Sequence, residues 1–276
     1  MPTVAIVGLG LMGSSLALAL KEASPGTTVV GSDRDPLTLR KALDRGVVTS
    51  ASADLDVLGV ADIVVLAVPI LAMREVLNAL RGRTEGKVVT DVASTKVSVM
   101  EWAAAAGVDL VGGHPMCGRE AAGIDAADPA LFKGAPWVLT RPDPIVRALA
   151  ESVGAHTIVL EPEAHDRLVA GVSHAAFLLS VGYVLSVSSR SDWPEAAGLA
   201  ASGFRDMSRL AGGDPDLYAG IARTNRDNLI KQLDEIAATL ARLRRHLEAD
   251  DLRLVELFEE ARSVRERWAK DRRKPT

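Results

Sequence analysis

The chain has 276 residues, 48% hydrophobic and 25% charged, with 32 basic and 36 acidic side chains giving a formal net charge of −4. That length buries a large interior without cross-links and suits two domains better than one. The balanced charge excludes the strong field that recruits nucleic acid or an anionic membrane, so a small-molecule ligand is the expected partner.

In chain order, short β-branched runs occur at VAIV (4–7), TVVG (28–31), DIVVLAV (62–68), KVVTDV (87–92), LVGG (110–113), WVLT (137–140) and TIVL (157–160). Continuous apolar runs of this length predict strands buried on both faces. Amphipathic segments lie between them: LALALKEA, LTLRKALDRG, LAMREVLNALRG and VSVMEWAAAAG, several closing on the glycine that suits a helix C-terminus. The alternation predicts a mostly parallel, doubly wound sheet covered by helices over residues 1–160. After Glu161 the strand-like runs stop, and HDRLVAGVSHAAFLLSVGYVLS, EAAGLAASG, DLYAGIARTNRDNLIKQLDEIAATLARLRRHLEA and DLRLVELFEEARSVRERWAK predict an all-helical domain over 161–276. In the third of these, Ile221, Leu229, Leu233, Ile236, Leu240 and Leu243 form one stripe, to be buried either within the monomer or against a second subunit. The terminal KDRRKPT reads as a solvated end. No cationic leader opens the chain, no apolar stretch reaches the roughly 20 residues of a membrane helix, and one cysteine permits no internal disulfide. The expected location is the cytoplasm.

The first strand runs directly into GLGLMG, Gly8 to Gly13, which opens a helix. In that pattern Gly8 permits the tight turn, Gly10 lets a pyrophosphate approach the backbone, Gly13 packs helix on strand, and the N–H groups around Leu11 and Met12 face the phosphates. Asp33 follows Gly13 by 20 residues at the end of the second strand, where a carboxylate holds the adenine ribose. The first half is thus read as a Rossmann domain for NAD. Arg34 beside that carboxylate keeps NADP open, because a guanidinium can accept a 2′-phosphate.

Ligands of a doubly wound sheet meet the C-terminal strand ends. Those ends carry Val68 in VLAVP, an apolar neighbour for a nicotinamide; Ser94 and Lys96 in TDVASTK; and His114 in GGHPMCGRE. A neutral imidazole can take a proton from a hydroxyl as hydride leaves the same carbon. Ser94 could orient that imidazole or touch the cofactor; the bland alternative for His114 is a strand-end packing residue. Cys117 has no evident activating partner and reads as a buried filler. Farther on, helical spacing puts Arg167 and His174 on one face and His165 opposite His174, and places Arg205 and Asp206 within reach of Arg209 as an ion-paired arginine or as a solvated cluster. No metal-ligand spacing occurs.

GLGLMGSSLALAL, DVASTK, GGHPMCGREAAGI, HDRLVAGVSH and GFRDMSRLAGGDPDLY, in this order and spacing, resemble the prephenate and arogenate dehydrogenase family of tyrosine biosynthesis. The resemblance implies oxidative decarboxylation of a cyclohexadienyl substrate with hydride transfer to NAD(P). It implies His114 as catalytic base with Ser94 beside it, and Arg209 binding a substrate carboxylate; Lys96, His174 and Tyr218 are read as further substrate contacts. It also implies a homodimer built from the C-terminal helices. The chain departs from the family's SH-x-x-H at SHAAF, where Phe177 replaces a second histidine. A β-hydroxyacid dehydrogenase is the nearest rival, although its GxSGG-like string is missing here; a non-catalytic dinucleotide sensor would need neither His114 nor Arg209.

Overall fold

The computed structural model describes residues 2–249 and 251–271; most of the KDRRKPT end lies outside the described residues. Strands and helices alternate as β1 (Thr3–Val7), α1 (Leu11–Ala23), β2 (Thr28–Ser32), α2 (Pro36–Asp44), β3 (Ser50–Ser52), β4 (Ile63–Leu66), α3 (Ile70–Ala79), β5 (Val88–Asp91), α4 (Val97–Ala106) and β6 (Leu110–Val111). The six strands are parallel in the order β3-β2-β1-β4-β5-β6, the doubly wound arrangement. Only β3 lacked an apolar run to announce it. Alternate residues of β1 enter opposite cores: Val4 and Ile6 pack with Leu16 and Leu20 of α1, while Ala5 and Val7 pack with Met73 and Leu77 of α3 and Val99 of α4. Both faces being dry explains the unbroken apolar runs.

The expected single sheet ends at Val111. The next strands, β7 (Gly113–Pro115), β8 (Pro136–Leu139) and, after α5 (Pro144–Ser152), β9 (His156–Val159), form a separate three-stranded sheet, with β7 antiparallel to β8 and β8 parallel to β9. LVGG is therefore not one strand but the joint between two sheets. A Cβ on Gly112 would stand 2.7 Å from Thr140 Cγ2, and one on Gly113 2.4 Å from the Asp91 carbonyl oxygen. Two glycines let the chain pass this close to the end of β5 and change sheets. His114 consequently sits in the middle of β7, opposite Val138, rather than at the tip of a main-sheet strand.

From residue 162 the described chain is helical: α6 (Pro162–Val169), a π-turn (Ala170–His174), α7 (Ala175–Ser188), α8 (Trp193–Leu199), α9 (Ser202–Ser208), a 3-10 turn (Arg209–Gly212), α10 (Pro215–Thr224), α11 (Arg226–Glu248) and α12 (Arg253–Asp271). The chain forms two compact units, residues 1–229 and 230–276. The expected stripe is interrupted at Asn225, where φ −127° and ψ 30° break the helix. Ile221 and Leu229 are buried in the first unit. The second unit leaves Leu240, Leu247, Val255, Phe258 and Trp268 each more than half exposed, so its own two helices do not cover its apolar face. One stretch, Pro162–Ser188, is long and apolar enough to cross a membrane by length and composition, at mean hydropathy 1.8, against the expectation that none would be. Its charges all fall in the first two turns, at Glu163, Asp166 and Arg167, which leaves an apolar remainder.

Candidate active site

At the glycine loop, the chain leaves β1 through Gly8, whose φ of +97° favours glycine and whose Cβ position lies 2.5 Å from the Ala67 carbonyl oxygen and 3.0 Å from the Val68 nitrogen. Gly13 stands where a Cβ would be 1.9 Å from the Gly8 carbonyl oxygen, so helix and turn touch. Gly10, by contrast, faces open space and heads α1 without a side-chain cap. Leu11 and Met12, half-buried, form the first turn of α1, whose N–H groups are therefore available to an anion. The half-buried Asp33 lies at the end of β2 and accepts from Leu9 N at 2.8 Å and Asp35 N at 2.9 Å, which fixes its carboxylate beside the loop. Arg34 is exposed next to it, and Val68 lies half-buried in the turn after β4. A cradle closed by Gly8 and Gly13 and open at Gly10 fits a dinucleotide pyrophosphate.

The chemistry-bearing residues meet beyond the ends of β5 and β7. His114 is 7% exposed, and its Nδ1 lies 2.8 Å from His165 Nε2. His165 Nδ1 lies 2.7 Å from Asp166 Oδ1, and the Asp166 carboxylate accepts from Lys96 N at 2.7 Å and Val97 N at 3.0 Å, capping α4 from another helix. The hydrogen bond to the His114 ring thus comes from His165 and not from Ser94. Ser94 is half-buried and makes no hydrogen bond among the described residues. Its neighbour Thr95 does, donating its hydroxyl to Thr224 at 2.8 Å. Lys96 is drawn inward: its ammonium is fully buried, paired with Asp91 and donating to the Gly113 carbonyl. The cation expected on the substrate is therefore part of the scaffold under β7. Asp91 also accepts from Gly113 N at 2.9 Å, so one ion pair holds the backbone immediately before His114.

Helical spacing misplaced two residues here. A π-turn carries about one more residue than an α-turn, which rotates the succeeding side chains by about 100° around the helix axis. The turn at Ala170–His174 brings His174 round into the buried cluster and leaves Arg167 exposed, so the pair does not share a face and His165 no longer opposes His174. Asn225, at the helix break, donates to the Asp166 carbonyl at 2.7 Å and lies 3.2 Å from His174 Nδ1. With that nitrogen accepting, His174 Nε2 is a buried donor with no partner among the described residues. His165, Asp166, Asp91 and Asn225 were not recognised as site residues from sequence. The adjacent His-Asp pair just ahead of a long apolar helical run was the available signal.

Arg209 does not pair with Asp206. The helix ends at Ser208, and the following 3-10 turn directs Arg209 to Glu120 in the loop after β7, while Arg205 and Asp206 form an exposed contact of their own at 4.0 Å. Arg119 pairs with Asp128. Tyr218 stacks on Phe177 with ring centroids 3.4 Å apart, and burial, then Glu120, push its hydroxyl above the usual range while Arg209 opposes them. Phe177 is thus a buried ring behind Tyr218 where the family pattern has a histidine. Burial pushes the Cys117 thiol up to about 12, in keeping with a filler.

Burial, reinforced by His165, Lys96 and His174, holds His114 well below the ordinary imidazole range, so it is neutral at pH 7. Burial likewise pulls His174 down to about 4, against the attraction of Asp166. Because the folded value lies below the unfolded one of 6.5, the unfolded chain binds the extra proton as pH falls. Stability is then expected to be full above pH 6.5 and to fall by about 2 to 4 kcal/mol towards pH 4 from His174 alone. Urea unfolding across that window measures it; equal stability at pH 7 and pH 4.5 would contradict the assignment.

A doubly wound sheet with a dinucleotide cradle, and a buried neutral histidine beyond the end of another strand of that sheet, is the arrangement of a nicotinamide-dependent oxidoreductase. Residues 16–159 match the family model described as prephenate dehydrogenase, nucleotide-binding domain, and residues 161–260 match prephenate dehydrogenase, dimerization domain. The prephenate dehydrogenase of Lactococcus lactis is 34% identical over 280 residues, covering 96% of this chain and 77% of that protein. The structure of Aquifex aeolicus prephenate dehydrogenase in complex with hydroxyphenyl propionate and NAD+ superposes with TM-score 0.90 at 28% identity, over 97% of this chain and 98% of that one. Synechocystis arogenate dehydrogenase superposes with TM-score 0.82 at 33% identity, over 96% and 99%. The chain belongs to the prephenate dehydrogenase family.

Proposed function

We propose that this protein oxidatively decarboxylates prephenate or arogenate in tyrosine biosynthesis, with His114 as the base that takes the proton of the ring hydroxyl. The observation that carries the reading is a buried, neutral imidazole hydrogen-bonded to His165 beyond the end of β5, two strands along the main sheet from the strand that runs into the glycine loop. NAD, held by Gly8, Gly10, Leu11, Met12, Gly13 and Asp33 with Val68 nearby, accepts the hydride when bound. We assign NAD over NADP because the Asp33 carboxylate disfavours a 2′-phosphate. Excluding water around His114 keeps it unprotonated and ready to accept; Ser94, with its hydroxyl uncommitted, and His174, with its bare donor, contact the substrate's oxygens. Arg209 binds a substrate carboxylate by exchanging Glu120 for it. Residues 1–160 bind the nucleotide, and residues 161–276 carry substrate contacts and the dimer interface of a cytoplasmic homodimer, for which the exposed apolar faces of α11 and α12 are suited.

Spectrophotometric turnover of prephenate and of arogenate, each with NAD and NADP, tests this directly. Turnover of neither substrate with either cofactor overturns it, and a strong NADP preference overturns the cofactor assignment. Arg209→Gln is expected to raise the Michaelis constant for the cyclohexadienyl substrate at least tenfold, with turnover little changed, as for loss of a binding contact made equally in ground and transition states. An unchanged Michaelis constant leaves Arg209 as a surface partner of Glu120 alone.

A further inference from the structure

We propose that His165 and Asp166 are positioning residues that set the tautomer of His114, so that its Nε2 is the bare nitrogen facing the substrate. The inference deepens the assignment of His114 as base and rests on it. A carboxylate only accepts, so the 2.7 Å contact between His165 Nδ1 and Asp166 Oδ1 places a proton on His165 Nδ1. In the neutral ring the other nitrogen, Nε2, then carries the lone pair. That lone pair is 2.8 Å from His114 Nδ1, which must supply the hydrogen of the contact. His114 Nε2 is left without a proton, able to accept one. As it does so, the positive charge that forms on His114 is shared through His165 with the Asp166 carboxylate, and no proton needs to pass beyond His114.

The arrangement is rigid for reasons independent of its chemistry. His165 is fully buried and Asp166 is 1% exposed. Asp166 is fixed from three sides: its two carboxylate oxygens cap Lys96 N and Val97 N at the head of α4, and its carbonyl accepts from Asn225. The groups facing His114 from the packed elements are His165 and Asp166 of α6, His174 of the π-turn, and the Lys96–Asp91 pair beneath β7. Of these, His165 is the one that hydrogen-bonds the His114 ring among the described residues, with the two rings edge to face. The adjacent His-Asp pair thus does two tasks, docking the helical segment on α4 through the aspartate and orienting the base through the histidine.

Because Asp166 also caps α4, the discriminating variants are at His165. The chain has five histidines, so side-chain nitrogen NMR of the whole protein, with His114→Asn identifying one signal by its loss, reads the His114 tautomer directly. The expected result is a wild-type His114 protonated on Nδ1 and bare on Nε2 at about pH 7. His165→Leu should lose that preference and lower kcat by about 30- to 100-fold with cofactor affinity unchanged. His165→Gln, whose amide oxygen can accept the Nδ1 hydrogen, should recover most of that loss. A wild-type ring protonated on Nε2, unchanged kcat in His165→Leu, or Leu and Gln variants equally impaired with lowered thermal stability each overturn the proposal. The two readings fail separately: normal turnover by His114→Asn removes the base assignment, whereas the wild-type tautomer is still measured.

Discussion

His114→Asn is expected to lower turnover by about 100-fold or more while leaving cofactor binding nearly intact, the range for loss of a general base. The asparagine amide nitrogen falls near the position of Nδ1 and can still donate to His165, so the buried network keeps its contacts and the variant should fold. What is lost is the basic Nε2. Among the described residues, the glycine loop and Asp33, which carry the expected cofactor contacts, share no hydrogen bond with His114 or His165. A reduced turnover with unchanged dissociation constant for the dinucleotide therefore separates loss of the base from a damaged fold. Undiminished turnover of both cyclohexadienyl substrates would return His114 to a packing role.

Lys96→Met is expected to destabilise the protein by about 3 to 5 kcal/mol, because it leaves the Asp91 carboxylate buried without its counter-ion. Asp91 and Lys96 are both fully buried, and burial pulls the Lys96 ammonium below the usual lysine range while Asp91 opposes that shift. Methionine matches the volume and so leaves little cavity, which isolates the charge as the cause. The same experiment decides between two roles for Lys96. A substrate-binding lysine would raise the Michaelis constant and leave stability alone, whereas a scaffold lysine lowers the urea midpoint first. The Gly113 carbonyl also loses its partner, so the backbone before His114 loosens and activity falls with stability.

Some of this site was readable from local pattern. The glycine spacing requires a turn, an approach and a close contact at three particular residues, and each is a backbone property set within six positions of chain. The buried strands of the main sheet and the helix that closes on Gly107 are equally local, since period and terminators lie inside each segment. His114 stood out because a polar residue followed an apolar run. The residues assembled around it did not: Asp91, His165 and Asn225 lie 23, 51 and 111 positions from it in the numbering. Ser94 and Lys96 were chosen for nearness to a strand end, which says nothing of whether a side chain turns outward or under the sheet.

The sequence by itself determined a dinucleotide-binding, doubly wound half and a helical half, and singled out His114 as a candidate between them, because hydrophobic period, glycine geometry and polar residues at segment ends act over a few residues. Only the tertiary structure decided that the strand carrying His114 belongs to a second sheet, that Lys96 points inward to Asp91, that Arg209 meets Glu120, and that one extra residue in the turn at Ala170–His174 brings His174 towards His165. Each depends on contacts between segments distant in sequence, and for Lys96 and His174 on which buried polar group finds which partner. Such pairing is fixed by the cost of leaving a polar group unsatisfied in a dry interior, and that cost is felt only once distant segments have closed around it.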